Sequence, residues 1–296
     1  MEQPRTQVVG SGFAMKLAVV TPTWNRSRSL GEMVRSVEGQ VFQPFKHVVV
    51  DNLSGDQTPE VVREYQKRAA YEVVHLREGD SGIYDAMNKG AAAAGDCEAF
   101  YFLNDDDSLA KPASLQLLVA ALGSSPGGVA FADVWVEAPD GARRPRNHRQ
   151  MNRLTLAEKS ICQQATAYSR AAFEKVGPFD ASLKAAGDYD WMLRALAVHR
   201  LRAVYLRHPV AVFRTGGISS NAAWRGGFEA EMRAVAARHL DAATIARAKS
   251  YRRFWRKIPW GRALMPGSDR ADSLGVRTRS VFAGRLCPDP LSWMDF

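Results

Sequence analysis

In the first half of the chain, short β-branched and aromatic runs alternate with stretches of helical periodicity. Residues 17–24 (LAVVTPTW), 47–52 (HVVVDN), 71–76 (YEVVHL) and 99–104 (AFYFLN) read as strands. Residues 30–37, 58–70, 86–94 and 114–122 carry the spacing of helices between them. Thr58-Pro59-Glu60 predicts a helix start, with Thr58 as N-cap and Pro59 at the first helical position. Strand and helix in turn predict a doubly wound, mostly parallel α/β sheet flanked by helices.

The pattern changes after one more strand over residues 128–138. An arginine-rich loop (Arg143, Arg144, Arg146, Arg149, Arg153) leads to predicted helices over 163–176 and 188–198. Gly216 and Gly217 then open a Thr-Gly-Gly-Ile-Ser-Ser loop, where glycine supplies backbone freedom. Near the end, Tyr251, Phe254, Trp255 and Ile258 fall at i, i+3, i+4 and i+7 with Arg252, Arg253, Arg256 and Lys257 on the other face. That is a basic amphipathic helix, stopped by Pro259 and followed by Trp260. It can lie in an anionic membrane surface or pack its stripe on the main domain.

These textures divide the 296 residues into a loose leader (1–14), a main domain (15–240) and a basic C-terminal extension (241–296). The main domain splits in turn, where the pattern changes, into residues 15–135 and 136–240. Cys97, Cys162 and Cys287 are odd in number and far apart, which suits a reducing cytoplasm rather than a disulfide framework or a zinc site. No apolar run approaches the ~18 residues of a membrane span, and residues 1–14 lack the apolar core of a signal peptide. From residue 241 onward there are eleven Lys and Arg against five Asp, six of the nine surplus positive charges. Such asymmetry points to an anionic partner, either nucleic acid or an acidic membrane on the inner face of which the protein would sit peripherally. No nucleic-acid-binding motif accompanies the charge, so nucleic acid is not the expected partner.

In doubly wound sheets, ligands bind beyond the carboxyl ends of the strands. Three such ends are polar here: 21–26, 51–56 and 104–107. Asn104 is followed by Asp105, Asp106 and Asp107, three like charges whose crowding is relieved by a cation. Hard ions such as Mg²⁺ and Mn²⁺ take one or two carboxylates together with substrate phosphates. The same acids can also form a solvated turn before a helix. Asp51, closing its strand, can accept a hydrogen bond from the imide N–H of a uracil or can close a turn. In residues 79–90, Asp85, Asn88 and Lys89 cluster at a helix start, where a ribose or phosphate is favoured. Asp188 and Asp190 flank Tyr189 before a helix, where one can cap and the other can face a cleft as general base. The six histidines form no metal pattern.

Taken together, these segments resemble the family 2 glycosyltransferases, inverting enzymes of the A-type fold, and among them the bacterial branch that builds surface polysaccharides and glycolipids. The likeness runs from Lys16 to about Ser220, through Thr21-Pro22-Thr23-Trp24-Asn25-Arg26, Asp51 to Asp56, and Gly82 to Gly90. It implies a nucleotide-sugar donor, UDP-linked, bound by Thr21, Pro22, Thr23, Asn25, Arg26, Asp51, Asp85, Asn88, Lys89, Asp105 and Asp106. It implies Mn²⁺ or Mg²⁺ on Asp107 and Asp105, where the family carries a D-x-D motif. Gln163 and Gln164 stand where the family places a His-Gln pair facing the acceptor, with Asp190 nearby, and Gly216, Gly217 and Ser219 resemble the loop that closes near the diphosphate. Asp188 matches the acid proposed as catalytic base. The acceptor implied is a saccharide or lipid-linked hydroxyl. A sugar nucleotidyltransferase shares such a sheet but usually carries a glycine-rich loop after its first strand, whereas 21–26 has no glycine.

Overall fold

The computed structural model describes residues 15–148, 151, 153–216 and 225–257. Strands β1 (Leu17–Thr23), β2 (Lys46–Asp51), β3 (Glu72–Arg77) and β4 (Ala99–Phe102) form a parallel block in the order β3-β2-β1-β4. Helices α1 (Ser27–Glu38), α2 (Thr58–Arg68) and α3 (Ile83–Ala93) connect them. The sheet continues through the short β5 (Ser108–Leu109), helix α4 (Ser114–Gly123), β6 (Val129–Glu137), β7 (Arg143–Arg146), β8 (Thr166–Ser169) and β9 (Ala203–Arg214). β8 is the hinge of the topology: it runs antiparallel to both β4 and β6, while β6 and β9 are parallel to each other.

Alternation along the strands explains the two packed layers. Ala18, Val20, Val48 and Val50 point to one face, under α3, α6 (Arg170–Val176) and α7 (Gly187–Leu193). Leu17, Val19 and Val49 point to the other, under α1, α2 and α4. Successive strand side chains face opposite ways, so both faces can be buried. Gly90 lets α3 lie against the sheet: a Cβ there would sit 2.3 Å from Val20 Cγ1 and 3.0 Å from Val50 Cγ2.

Three local expectations need correction and one, the helix over 188–198, is refined. Thr58 is the first residue of α2 rather than its cap; its N–H donates to Asp56 Oδ1 (2.9 Å) and its hydroxyl accepts from Arg26 N (3.1 Å). The helix expected over 163–176 is a 3₁₀ turn (Gln163–Ala165), then β8, then α6, because Thr166–Ser169 is buried and pairs with two strands. The helix expected over 188–198 is α7 continued by a π-helical turn (Arg194–Val198). Part of the arginine-rich loop is strand β7, on β6.

Helix α8 (Arg225–His239) leads into α9 (Ala242–Lys257), which packs on the short α5 (Arg153–Leu156). Ala248 of α9 is buried and Ile245 rests on the core, so the first turns of the basic extension are part of the main body. The aromatic stripe beyond Tyr251, with Ile258, Pro259 and Trp260, falls outside the described residues and side chains, as do the leader 1–14, Arg149, Gly217 and Ser219. Among the described residues no helix is long and apolar enough to cross a membrane.

Candidate active site

The carboxyl ends of β1, β2 and β4 open into a cleft of about 1130 Å³, whose far wall is built by β7, the 3₁₀ turn, α7 and α8. On the near wall, Pro22, Thr23 and Arg26 line the space, joined by Trp24, which is 62% exposed at the mouth. Thr21 does not reach it; its side chain is buried, 2.9 Å from His47 Nε2. Burial holds the His47 imidazole down at about 3, so it stays neutral between Thr21 and the Tyr65 hydroxyl (2.8 Å). Asn25 also serves the scaffold: it takes a left-handed conformation (φ 51°), and its Oδ1 accepts from Gly55 N (2.8 Å).

Asp51 does not reach the cleft either, contrary to expectation. It is fully buried, with Oδ1 accepting from Ser54 N (2.9 Å) and Oδ2 facing His75 Nε2 (3.3 Å) and Arg77 Nε (3.4 Å). Strand alternation turns its side chain inward and presents the next residue, Asn52, to the cleft instead. Asn52 Oδ1 accepts from Asp80 N (3.0 Å), which ties the β2 loop to the loop before α3.

The three polar residues expected to bind nucleotide at the start of α3 hold that start together. Asp85 Oδ2 accepts from Ser81 N (2.9 Å) and Ser81 Oγ (3.1 Å), so its carboxylate folds back over the residue before the N-cap, Gly82. Lys89 donates to Gly79 O (2.7 Å) and lies 3.4 Å from Asp85 and 3.3 Å from Glu78. Asn88 clasps the backbone of Phe179 from both sides, Nδ2 to its O (2.9 Å) and its N to Oδ1 (2.9 Å). What these bonds present to the cleft is Asp80, Ser81, Gly82, Ile83 and Tyr84. Gly82 has φ 141°, a conformation that side-chain-bearing residues rarely take.

Of the acidic run, Asn104, Asp105 and Asp106 line the cleft and Asp107 does not. Asp107 is 1% exposed and turns back to accept from Arg214 N (2.8 Å), which corrects its expected place as the metal ligand. Asp105 Oδ2 accepts from Thr23 Oγ1 (2.6 Å). Burial pushes the Asp105 carboxyl up to about 7 and raises those of Asp106 and Asp107, while the Arg26 guanidinium opposes the rise at Asp105 and Asp106. Asn104 Oδ1 and Asp107 Oδ2 are buried without a hydrogen-bond partner among the described residues. The unsatisfied Asn104 oxygen and the raised carboxyls of Asp105 and Asp106, all on the cleft, suit a site that takes positive charge. No three His, Cys, Asp or Glu converge as a preformed metal cluster among the described residues. Two carboxylates completed by phosphate oxygens are nonetheless a donor set that Mg²⁺ and Mn²⁺ accept.

Across the cleft, Asp188 sits in the first turn of α7, partly exposed to the cleft. Its Oδ1 accepts from Tyr84 Oη (3.2 Å) and from Tyr189 N (2.8 Å). Burial pushes its carboxyl up to about 6, and the charge of Arg146 on β7 opposes the rise. A carboxylate near that value can hold or release a proton close to neutral pH. Gln163 and Gln164 also line the cleft, Gln163 Nε2 donating to Met87 Sδ (3.0 Å) and Gln164 Oε1 accepting from Cys162 Sγ (3.1 Å). Asp190 is turned away, to Arg194 Nε (2.8 Å) and His239 Nε2 (2.7 Å), and ties α7 to α8. Gly216 ends the described chain after β9 with φ 124°.

Two cleft features carry no sequence signal. His148 Nδ1 donates to Ala132 O (2.8 Å) and its Nε2 accepts from Cys162 N (3.1 Å), which pins the turn that carries Gln163 and Gln164. Glu231 on α8 accepts from the backbone N–H groups of Lys184 (2.9 Å), Ala185 (2.9 Å) and Ala186 (3.2 Å), and so caps the segment leading into α7. Both contacts join residues distant in sequence, and nothing in the local spacing marks them.

A parallel nucleotide-binding sheet continued by a mixed one, with one cleft over the strand ends and acids on both walls, defines the A-type glycosyltransferase fold. Residues 18–177 match Glycosyl transferase family 2, and the chain belongs to that family. It is 28% identical over 214 residues to the PGL/p-HBAD biosynthesis glycosyltransferase of Mycobacterium bovis, an alignment covering 70% of this chain and 80% of the relative. It is 31% identical over 215 residues to an uncharacterized glycosyltransferase of Mycobacterium tuberculosis, covering 70% and 78%. Among solved structures, Staphylococcus aureus TarS 1–349 with UDP-GlcNAc superposes with a TM-score of 0.62 at 19% identity, covering 90% of this chain and 77% of that one. The mannosyltransferase PcManGT of Pyrobaculum calidifontis, in complex with GDP-Man and Mn²⁺, gives 0.60 at 19%, covering 90% and 75%. The chain is thus a glycosyltransferase.

Proposed function

We propose that this protein is an inverting, divalent-metal-dependent glycosyltransferase that moves a sugar from a nucleotide-sugar donor, UDP-linked, to a hydroxyl of a saccharide or lipid-linked acceptor. The observation that carries the reading is the pairing of walls: Asp105 and Asp106 on one side of a single cleft, and Asp188, raised to about 6, on the other. In the same reading, residues 15–135 form the donor half, 136–240 the acceptor half and 241–296 a basic extension. The donor's nucleotide lies over the β1 and β2 strand ends, along Pro22, Thr23, Trp24, Arg26 and Asn52. A family 2 fold relative solved with UDP-GlcNAc supports a uridine donor, and one solved with Mn²⁺ supports the metal.

Asp105 and Asp106 would hold a divalent ion, whose positive charge would favour departure of the diphosphate. Asp188 removes the proton from the acceptor hydroxyl. The freed oxygen forms its bond to the anomeric carbon as the bond from that carbon to the diphosphate oxygen breaks, and the nucleoside diphosphate departs. Attack from the opposite face inverts the anomeric configuration. Gln163 and Gln164 orient the acceptor beside Asp188. The cationic surplus of the extension supports attachment to an anionic membrane surface on the cytoplasmic face, which sedimentation with anionic and neutral liposomes tests.

A panel of nucleotide sugars screened for Mn²⁺-dependent thermal stabilisation tests the main reading, since a ligand bound only by the folded state raises the melting temperature. One donor should stabilise the protein in Mn²⁺, and its turnover should release nucleoside diphosphate. Stabilisation by none, with or without metal, would overturn it.

A further inference from the structure

The segment from Gly82 to Gly90 contributes to the cleft's near wall, and one of its residues reaches across to the carboxylate on the far wall. Tyr84 is 4% exposed, lies in the first turn of α3, and donates its hydroxyl to Asp188 Oδ1 at 3.2 Å. Its ring is seated against the backbone of α7: a Cβ on Gly187 would meet Tyr84 Cδ2 at 2.7 Å and Cε2 at 2.8 Å. On another side the ring packs against Phe179, with centroids 5.8 Å apart, and Phe179 is the residue whose backbone Asn88 clasps. One turn of α3 thus grips the α7 region twice, once by its backbone and once at the carboxylate.

We propose that Tyr84 is a positioning residue for Asp188: its hydroxyl fixes the direction of the carboxylate and favours the charged form. The inference rests on the reading of Asp188 as base. The other groups that face Asp188 do not substitute for Tyr84. Arg146 on β7 acts through its charge and donates to Ser160 O (3.0 Å), while Tyr168 on β8 and Cys162 beside the 3₁₀ turn are buried and neutral. Among the described residues, the other hydrogen bond to the Asp188 carboxylate comes from the backbone N–H of Tyr189, which no side-chain change removes. A donated hydroxyl stabilises an ionised carboxylate, so its loss raises the carboxyl's titration midpoint.

The test is a carboxyl ¹³C NMR titration of the full chain labelled at aspartate, with the Asp188 resonance assigned by its absence in Asp188→Asn. The wild type should titrate near 6. Tyr84→Phe keeps the ring and the fold, and should raise that midpoint by about 1 pH unit. Gly187→Ala keeps the hydroxyl but forces the ring away, and should shift the midpoint in the same direction. In transfer assays Tyr84→Phe should lower kcat and leave the donor KM unchanged. Midpoints equal to wild type in both variants would overturn the assignment of Tyr84. Full transfer by Asp188→Asn would instead overturn the base reading, and with it any part for Tyr84 in the reaction. Loss of transfer in Asp188→Asn with an unmoved Tyr84→Phe midpoint would remove Tyr84 alone.

Discussion

The two walls of the cleft use polar residues in opposite ways. On the donor wall, side chains that look poised for a nucleotide satisfy one another and the backbone: Asn25 with Gly55, Asp51 with Ser54 and His75, Asp85 with Ser81, and Asn88 with Phe179. On the opposite wall the polar side chains line the cleft itself, among them Arg144, Arg146, Gln163, Gln164 and Lys184, and Asp188 faces it with a raised carboxyl. A loop at strand ends must first pair its own N–H and C=O groups, because unpaired buried ones are costly. A dense polar motif there therefore ties the rim together, and the residues that line the cleft are the ones next to it, such as Asn52 beside Asp51 and Asp106 beside Asp107.

The contrast can be broken at its strongest point first. Asp188→Asn should lower transfer by ~10²–10⁴-fold, the range for losing a general base, and leave UDP and Mn²⁺ binding intact by calorimetry. The pH profile sharpens this. The base works ionised, so wild-type kcat should rise with pH and level off above about 6. Because the folded-state value lies above the ordinary 3.8, stability associated with this group is lost as pH rises from about 4 to about 6, and Asp188→Asn should not lower the melting temperature at pH 7.

Next in size, Asp106→Ala should weaken Mn²⁺-dependent UDP binding at least about tenfold, or about 1.4 kcal/mol. Asp107→Ala should instead spare binding and cost about 1–3 kcal/mol of stability, through the N–H of Arg214 that it leaves unpaired. Asn88→Ala, which removes two bonds to Phe179, should cost about 2 kcal/mol in urea unfolding without changing UDP affinity. Lys89→Ala should have the smallest effect on unfolding, since its carboxylate partners lie at 3.3 and 3.4 Å in solvent and its one short bond, to Gly79 O, is also near the surface.

The sequence made the donor half of the fold legible because its signals are local. β1 to β4 and α1 to α4 fall within a few residues of the expected runs, since period-two and period-3.6 patterns reflect burial on a sheet with two covered faces. The acceptor half was harder to read. Thr166–Ser169 has helix-compatible neighbours and becomes a strand only because β4 and β6 are there to pair with it. For the site, Thr23, Arg26, Asp105, Asp106, Gln163, Gln164 and Asp188 do meet in one cleft. Thr21, Asp51, Asp85, Asn88, Lys89, Asp107 and Asp190 do not line it, because side-chain direction at a loop depends on which backbone groups need partners. Tyr84, His148 and Glu231 stayed hidden, each acting across a long separation in sequence.

The central claim is that the donor site is built on Asp105 and Asp106 while Asp107 faces inward. A crystal structure with UDP and Mn²⁺ tests it directly. The ion should lie between the diphosphate and the carboxylates of Asp105 and Asp106, with Asp107 still bonded to Arg214 N. An ion held by Asp107, or a diphosphate bound away from this acidic run, would contradict the account.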